Sequence, residues 1–319
     1  MDGFLIGIDE IRAARSRLEG RIVRTPLVPL DLPDSSARLW LKLESLQPIG
    51  SFKLRGAGNV MSLTHRTDLQ QGVWTASAGN MAQGVAWMAR ERGIPCAALV
   101  PETAPEAKLA AIERLGARIV KTSVEDWFRV FDTREYPGME GLFVHAFADP
   151  AVMAGNATIG LEILEDLPDP DAIVVPYGGG GLACGIASAI RQLKAGTKVF
   201  ASEVDTGAPL AASLAAGQPV EVTFTPSFVD GIGGPYLADS MWERSRQLLD
   251  GSLVMSLAEI ASAVKLLVER ARIVAEGAGA SSVAAALAGK AGGGNVVCVV
   301  SGGNIDASKL RTILDGGVP

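Results

Sequence analysis

Cysteine, histidine and excess positive charge are all scarce in this chain, and each scarcity removes a class of function. Of 319 residues, three are cysteines (Cys96, Cys184 and Cys298) and two are histidines (His65 and His145). The cysteines lie far apart without any C-x-x-C spacing, so the sequence offers neither a disulfide framework nor a zinc cluster, and the thiols read as core filling. The histidines read as structural or surface residues, and no metal ligand is assigned to either. With 29 Lys and Arg against 35 Asp and Glu the net charge is −6, which argues against nucleic-acid binding through bulk positive charge. Residues 1–20 mix acids and bases without an apolar core, so no secretory signal is expected and a cytoplasmic location follows. The longest uncharged stretch, Ala172 to Ile190, is interrupted by Pro176 and by glycines at 178–181 and 185. It therefore reads as strand, loop and helix, and no membrane span is expected. Solenoid repeats and low-complexity tracts are absent from the sequence as well.

What is present is an ordinary globular composition, 48% apolar and 20% charged, at a length suited to about two domains. Short β-branched runs alternate with amphipathic stretches: Val73 to Thr75, Met81 to Arg92, Cys96 to Val100, Glu106 to Leu115, Ile119-Val120. The second half repeats the pattern with Ile173 to Val175, a helix from Leu182, Val199 to Ala201, a helix through Leu257, Ile260, Val264 and Leu267, a glycine-rich bend at Gly277 to Gly279, and the buried-strand run Asn295 to Val300. Alternation of this kind predicts an α/β fold of parallel sheets flanked by helices, because a strand buried on both faces reads as a continuous apolar run.

Two segments stand out chemically. Gly178-Gly179-Gly180-Gly181 lies between a predicted strand and the helix that starts near Leu182. Bare backbone N–H groups at a positive helix end make an anion cradle, although a tight bend would use the same residues. The loop is neither a Walker A motif nor a dinucleotide fingerprint. Lys53, in Ser51-Phe52-Lys53-Leu54-Arg55-Gly56, follows a turn and is flanked by apolar residues. Partial desolvation would lower its pKa and suit it to a Schiff base; a surface lysine at a helix start is the competing reading.

Ser51-Phe52-Lys53-Leu54-Arg55-Gly56-Ala57, Ser77-Ala78-Gly79-Asn80, the tetraglycine loop and Ser301-Gly302-Gly303-Asn304 occur in the order seen in fold-type II pyridoxal-phosphate enzymes. Over almost its full length the chain resembles the serine/threonine dehydratase family, which includes serine racemases. The resemblance implies a two-domain, tryptophan synthase β-like fold, with a small domain of residues 50–146 and a large cofactor-binding domain of residues 1–49 and 147–319. It implies pyridoxal 5'-phosphate as cofactor, a small-molecule amino-acid substrate and a homodimer, with neither nucleic acid nor membrane as partner. Lys53 would hold the cofactor covalently and then take the Cα proton. Phe52 would pack beside the cofactor ring. Gly178, Gly179, Gly180, Gly181 and the Leu182 amide would bind the phosphate, Asn80 the ring hydroxyl, and Ser301 would face the pyridine nitrogen. A neutral hydroxyl at that nitrogen stabilises a carbanion less than a carboxylate does, which favours prompt β-elimination. Ser77, Ala78, Gly79, Asn80 and Met81 would receive the substrate carboxylate, with Asn80 also capping the helix that follows.

Departures from the family pattern narrow the expectation. Racemases of the family carry a serine as second base where this chain has Ala78, and an alanine exchanges no proton. The expected activity is thus an ammonia-lyase that dehydrates a serine- or threonine-type β-hydroxy-α-amino acid to a 2-oxo acid. A racemase, a β-replacement enzyme and a non-catalytic amino-acid-binding protein are the alternatives. Met81 stands where most relatives have histidine, and Gly155-Asn156-Ala157-Thr158 where they have Gly-Gln-Gly-Thr, which opens the substrate to bulkier β-hydroxy amino acids such as phenylserine or hydroxyaspartate. Many relatives bind a divalent cation through a glutamate, a carbonyl four residues on and an acidic side chain two further. Here Glu203 and Gly207 fit but Pro209 has no carboxylate, so a weak site or none is expected. The sequence to Pro319 leaves no room for the regulatory domain of biosynthetic threonine dehydratases, and feedback by isoleucine is not expected.

Overall fold

The structure, a computed structural model, describes residues 3–32 and 36–319. Its strands in chain order are β1 Leu27–Leu30, β2 Ala37–Leu43, β3 Val73–Ala76, β4 Cys96–Pro101, β5 Arg118–Thr122, β6 Leu142–Phe143, β7 Ala172–Pro176, β8 Lys198–Val204, β9 Gly251–Met255 and β10 Gly294–Val300. Among the described residues they form a six-stranded sheet, β1-β2-β10-β7-β8-β9, and a four-stranded sheet, β5-β4-β3-β6. Neighbouring strands run parallel throughout, except that β1 pairs antiparallel with β2 at the edge of the larger sheet. The predicted α/β class with helix-flanked parallel sheets is what forms. The antiparallel edge has a simple cause: six residues, 31–36, separate β1 from β2, too few for the helical crossover that a parallel pair needs.

Strand periodicity divides the core of the larger sheet. Val297 and Val299 of β10 and Ile173 and Val175 of β7 enter one apolar layer, together with Cys184, Ile186 and Ile190 from the helix Gly181–Leu193. Val296, Cys298 and Val300, with Ala172 and Val174, enter the layer on the other face, against the helices Leu257–Leu266 and Gly277–Leu287. Successive side chains of a strand point to opposite faces, so the uninterrupted run Val296 to Val300 serves both layers at once. These five side chains are fully buried, and each valine burial is worth about 1.5–3 kcal/mol. Around the smaller sheet, Ala98 and Val100 pack beneath the helices Asn80–Arg90 and Glu106–Glu113, while Trp74, Ala76 and Leu99 face the helix Val124–Thr133.

The segment expected as a glycine bend, Gly277 to Gly279, is instead the first turn of the helix Gly277–Leu287. A Cβ on Gly279 would stand 2.5 Å from the Gly302 carbonyl oxygen. Close approach of this helix to the loop after β10, and not a chain reversal, is what the glycine serves. The helix Pro150–Asp166 is buried along most of its length, packing against the helices Lys53–Leu63 and Gly181–Leu193. Gly155, Asn156, Ala157 and Thr158 lie in its buried stretch, so they support the neighbouring helices from behind.

Candidate active site

Three loops that leave the C-terminal ends of parallel strands converge on one cavity of about 710 Å³. They are residues 77–79 after β3, residues 177–180 after β7, and residues 301–306 after β10. Ligand crevices of open parallel sheets form at such strand ends. The loop after β10 is stitched to the segment before Lys53: the Phe52 amide donates to the Ser301 carbonyl at 3.0 Å and the Gly303 amide to Gly50 at 2.9 Å. A β-bridge between Ser51 and Gly302 lies between these bonds. Lys53 is thereby held beside Ser301 although the two are remote in sequence.

Lys53 opens the helix Lys53–Leu63, and its side chain lines the cavity. Its Nζ donates to the Ala146 carbonyl at 2.7 Å and lies 5.1 Å from the centre of the Phe52 ring. Burial brings its pKa down from 10.5 to about 8, against the attraction of Glu276. The reading as a solvated surface lysine therefore fails. A neutral amine within reach near pH 8 is what carbonyl chemistry by lysine requires.

The glycine loop behaves as a helix start. Gly180 is the N-cap of the helix Gly181–Leu193, with left-handed backbone (φ 85°) and no capping side chain. First-turn N–H groups have no intrahelical acceptor, so those of this helix are free for an anion at the positive helix end. A Cβ on Gly179 would collide with the ring of Phe147. That close approach is a second reason for glycine here, and it is not readable from the loop itself.

Asn80 does not cap the helix Asn80–Arg90. The N-cap is Gly79, without a side-chain bond, because the Asn80 amide is engaged elsewhere: its Nδ2 donates to Glu276 Oε1 at 2.8 Å and its Oδ1 accepts from Asn304 Nδ2 at 2.7 Å. One Asn80 N–H remains for a ligand. Ser77 Oγ accepts from the Gly79 amide at 3.2 Å and so shapes the loop. Met81 touches the cavity, but its side chain belongs to the apolar cluster under the smaller sheet. Phe52, Ala78 and Leu182 also line the cavity. The cavity thus gathers every residue that the sequence singled out for cofactor and substrate.

Several residues at the site gave no sequence signal. Glu276 is buried beneath Asn80, and burial pushes its carboxyl up to about 7 from 4.5, with the Asn80 hydrogen bond opposing. Phe147 and Trp127 form one wall. At the rim Lys108 donates to Asp230 at 2.6 Å. Each is supplied by a separate element remote from the four glycine- and lysine-bearing motifs.

The remaining residues weighed in the sequence lie elsewhere in the molecule. Glu203 spends its carboxylate on the amides of Leu210 and Ala211, at 3.0 and 2.7 Å, and on the Ser252 hydroxyl at 2.6 Å. Among the described residues no group of three or more His, Cys, Asp or Glu is placed to hold a metal ion. His65 caps the short helix Arg66–Leu69, and His145 is buried. The cysteines are free thiols, with Cys184 and Cys298 buried and Cys96 half-buried. Among the described residues no helix is long and apolar enough to cross a membrane.

Beneath the first turn of the Lys53 helix lies a closed charge network. Arg55 Nε and Nη2 donate to Glu44 at 2.8 Å, and Nη1 and Nη2 to Glu162 at 2.7 and 2.8 Å. Lys42 Nζ donates to Glu162 and to the Thr25 carbonyl, both at 2.6 Å. These side chains, with two positive and two negative charges, are buried. The network fastens β2, the residues after it and the helix Pro150–Asp166 to the Lys53 helix.

Residues 18–302 match the family described as pyridoxal-phosphate dependent enzyme. The chain is 37% identical over 318 residues to the L-threonine ammonia-lyase of Thermotoga maritima, covering 98% of this chain and 79% of the relative. It is 35% identical to the catabolic L-threonine dehydratase TdcB of Staphylococcus aureus, covering 98% and 93%. The structure of maize serine racemase superposes with a TM-score of 0.88 at 31% identity, covering 97% of both chains.

Proposed function

The chain belongs to the pyridoxal-phosphate dependent enzyme family, and from that premise we propose that it is an ammonia-lyase converting a β-hydroxy-α-amino acid of the threonine or serine type to a 2-oxo acid and ammonia. The observation that carries this is the Lys53 amine, held inside a cavity that also contains the free helix start of the glycine loop and Ser301. These residues fit the cofactor. The uncapped N–H groups after Gly180 suit a phosphate, the buried amine suits an aldehyde, and the Ser301 hydroxyl suits a ring nitrogen.

In this reading Lys53 holds the cofactor and the glycines 178–181 with the Leu182 amide bind its phosphate. Phe52 packs beside the ring, the remaining Asn80 N–H meets the ring hydroxyl, and Ser301 faces the ring nitrogen. When bound, pyridoxal phosphate supplies an electron sink for the charge left at Cα. The loop Ser77 to Met81 seats the substrate carboxylate through its amides and the Ser77 hydroxyl. Lys53 Nζ is placed to take the Cα proton, and the β-hydroxyl departs as water with one proton, so that the proton lost at Cα is balanced by the one gained by the leaving group. Water then completes the release of ammonia and the 2-oxo acid. On the other side of the substrate the position before Gly79 is Ala78, whose methyl group carries no exchangeable proton. Racemisation needs a proton carrier on both faces, so elimination is favoured over inversion.

We extend the proposal to a division into a small domain, residues 50–146, and a large one, residues 1–49 and 147–319. Support comes from the two sheets, since β3 to β6 fall in the first span and the other strands in the second. Free, mostly buried cysteines support a cytoplasmic location, and the family resemblance supports a homodimer. The test is incubation of the purified, cofactor-loaded protein with L-threonine, L-serine and threo-phenylserine while 2-oxo acid and ammonia are measured. Equal amounts of both products are expected; absence of both with L-threonine, L-serine and threo-phenylserine alike overturns the reading.

A further inference from the structure

One side of the cavity is an aromatic wall whose position is set by hydrogen bonds; the lyase reading uses Phe147 only as the ring packed against Gly179 and gives the wall no contact with the substrate. Trp127 and Phe147 face the cavity. Phe131 sits behind and between them, with ring centres 4.9 Å from Trp127 and 5.6 Å from Phe147. Each member is pinned. Trp127 Nε1 donates to the Leu99 carbonyl at 3.1 Å. The amides of Phe147 and Ala148 both donate to His145 Nδ1, at 3.1 and 3.0 Å, while His145 Nε2 lies 3.2 Å from the Phe131 carbonyl. This pattern requires a neutral imidazole with Nδ1 as acceptor. Burial, with Arg134 adding, lowers the His145 pKa to about 4 and keeps it neutral. The His145 ring also stands edge-on to Phe147 at 4.6 Å.

The two exposed faces of the wall adjoin the reacting groups. Phe147 follows Ala146, whose carbonyl anchors Lys53. Trp127 shares its acceptor, the Leu99 carbonyl, with the amide of Ser77. A substrate with its carboxylate at Ser77 to Gly79 and its Cα at Lys53 therefore has this wall beside it. Lys108 at the cavity is committed to Asp230 at 2.6 Å, and the rings of Trp127 and Phe147 carry no charge, so the wall itself favours an apolar side chain over an acidic one. Rigid rings offered edge and face select another ring more than a methyl group.

We infer that Trp127 and Phe147 are specificity-determining residues that select a β-hydroxy-α-amino acid carrying an aryl group on Cβ. The inference rests on the lyase reading above and names its substrate class. The test compares kcat/KM for threo-phenylserine and L-threonine in the cofactor-loaded protein and in the variants Phe147→Ala and Trp127→Ala. Alongside, the dissociation constants of L-phenylalanine and L-2-aminobutyrate, which lack the leaving hydroxyl, are read from the visible absorbance of the bound cofactor. The expected result is a preference for phenylserine of roughly 10-fold or more, reduced by a similar factor in each variant, with L-phenylalanine the tighter ligand. Two variants from different elements are used so that failure of one to fold leaves the other to decide. Threonine turnover without a phenylserine preference overturns the inference and leaves the lyase reading standing. No 2-oxo acid from either substrate or from L-serine overturns the lyase reading; the wall is then judged by binding, where L-phenylalanine no tighter than L-2-aminobutyrate overturns the inference, and tighter binding that both variants lose supports it.

Discussion

The helix that begins at Lys53 has buried ionisable groups on two sides, and they are treated in opposite ways. Beneath it, Arg55 and Lys42 meet Glu44 and Glu162 in short, mutually satisfied bonds, with opposite charges equal in number. On the cavity side Lys53 is half-buried and Glu276 buried, yet the Lys53 amine has only a carbonyl as hydrogen-bond partner and the Glu276 carboxylate only the amides of the Asn80 side chain and the Asn304 backbone. The paired carboxyl of Glu44 is held low because Arg55 outweighs the cost of its burial, whereas burial wins at Glu276 and lifts it to about 7. Burial alone therefore does not mark a reactive group. Burial lowers both lysines, Lys42 as well as Lys53; what separates the carboxyls is a hydrogen-bonded counter-charge, which Glu44 has and Glu276 lacks, and without one in contact an amine and a carboxyl stay near neutrality, where proton transfer is easy.

The largest expected effect separates these roles. Lys53→Ala should abolish 2-oxo acid formation, a loss on the order of 10³-fold or more, and remove the visible absorbance of the loaded protein. Its thermal midpoint without cofactor should stay close to that of the parent, since the amine is tied by a single hydrogen bond. A variant that keeps turnover would erase the distinction. Arg55→Met should do the reverse. It leaves Glu44 and Glu162 buried without their shared partner, a cost of about 3–5 kcal/mol, visible as a lowered urea midpoint. Activity per folded molecule should fall far less than in Lys53→Ala. A fully stable Arg55→Met would mean that the network does not fasten the helix.

pH should drive the two carboxyls in opposite directions. The Glu44 carboxyl is held below its ordinary range, chiefly by Arg55 against burial. Its stabilising share is present above that range and is lost as pH falls through the lowered value. Glu276 is raised, so its share is present below its ordinary 4.5 and is lost as pH rises through about 7. In cofactor-free protein, urea midpoints across pH should therefore fall on the acid side in the parent, and Glu276→Gln should flatten the loss between 5 and 7.

The sequence showed the strands, the parallel arrangement and the motif-bearing loops, because each leaves a local mark: an apolar run, a glycine cluster, a lysine after a turn. Val296 to Val300 reads as a doubly buried strand from composition alone, and it is one. What stayed hidden depends on partners distant in the chain. Asn80 looked like a helix cap, since a cap is the local use of that residue type, but Glu276 and Asn304, 196 and 224 residues away, take its amide. Gly277 to Gly279 looked like a bend, since close packing against Gly302 has no local signature. The wall of Trp127 and Phe147 was invisible for the same reason, as aromatic residues in an amphipathic helix and after a strand read as core.

The smallest effect tests whether the two cavity groups share one field. Only a neutral amine attacks an aldehyde, so the rate at which cofactor-free protein takes up pyridoxal phosphate should climb with pH and level off above about 8, the value to which burial brings Lys53. At pH 7 the rate should be roughly tenfold below the plateau. Glu276 opposes the burial by favouring the charged ammonium, so Glu276→Gln removes that support and should move the midpoint lower. Because Glu276 itself ionises near 7, the parent's curve belongs to the pair and the variant's to the amine alone. A midpoint near 10.5 in the parent would place the amine in water. An unmoved midpoint in Glu276→Gln would leave the amine buried but insulated from the carboxylate, and the contrast with the paired network beneath would then rest on Lys53 alone.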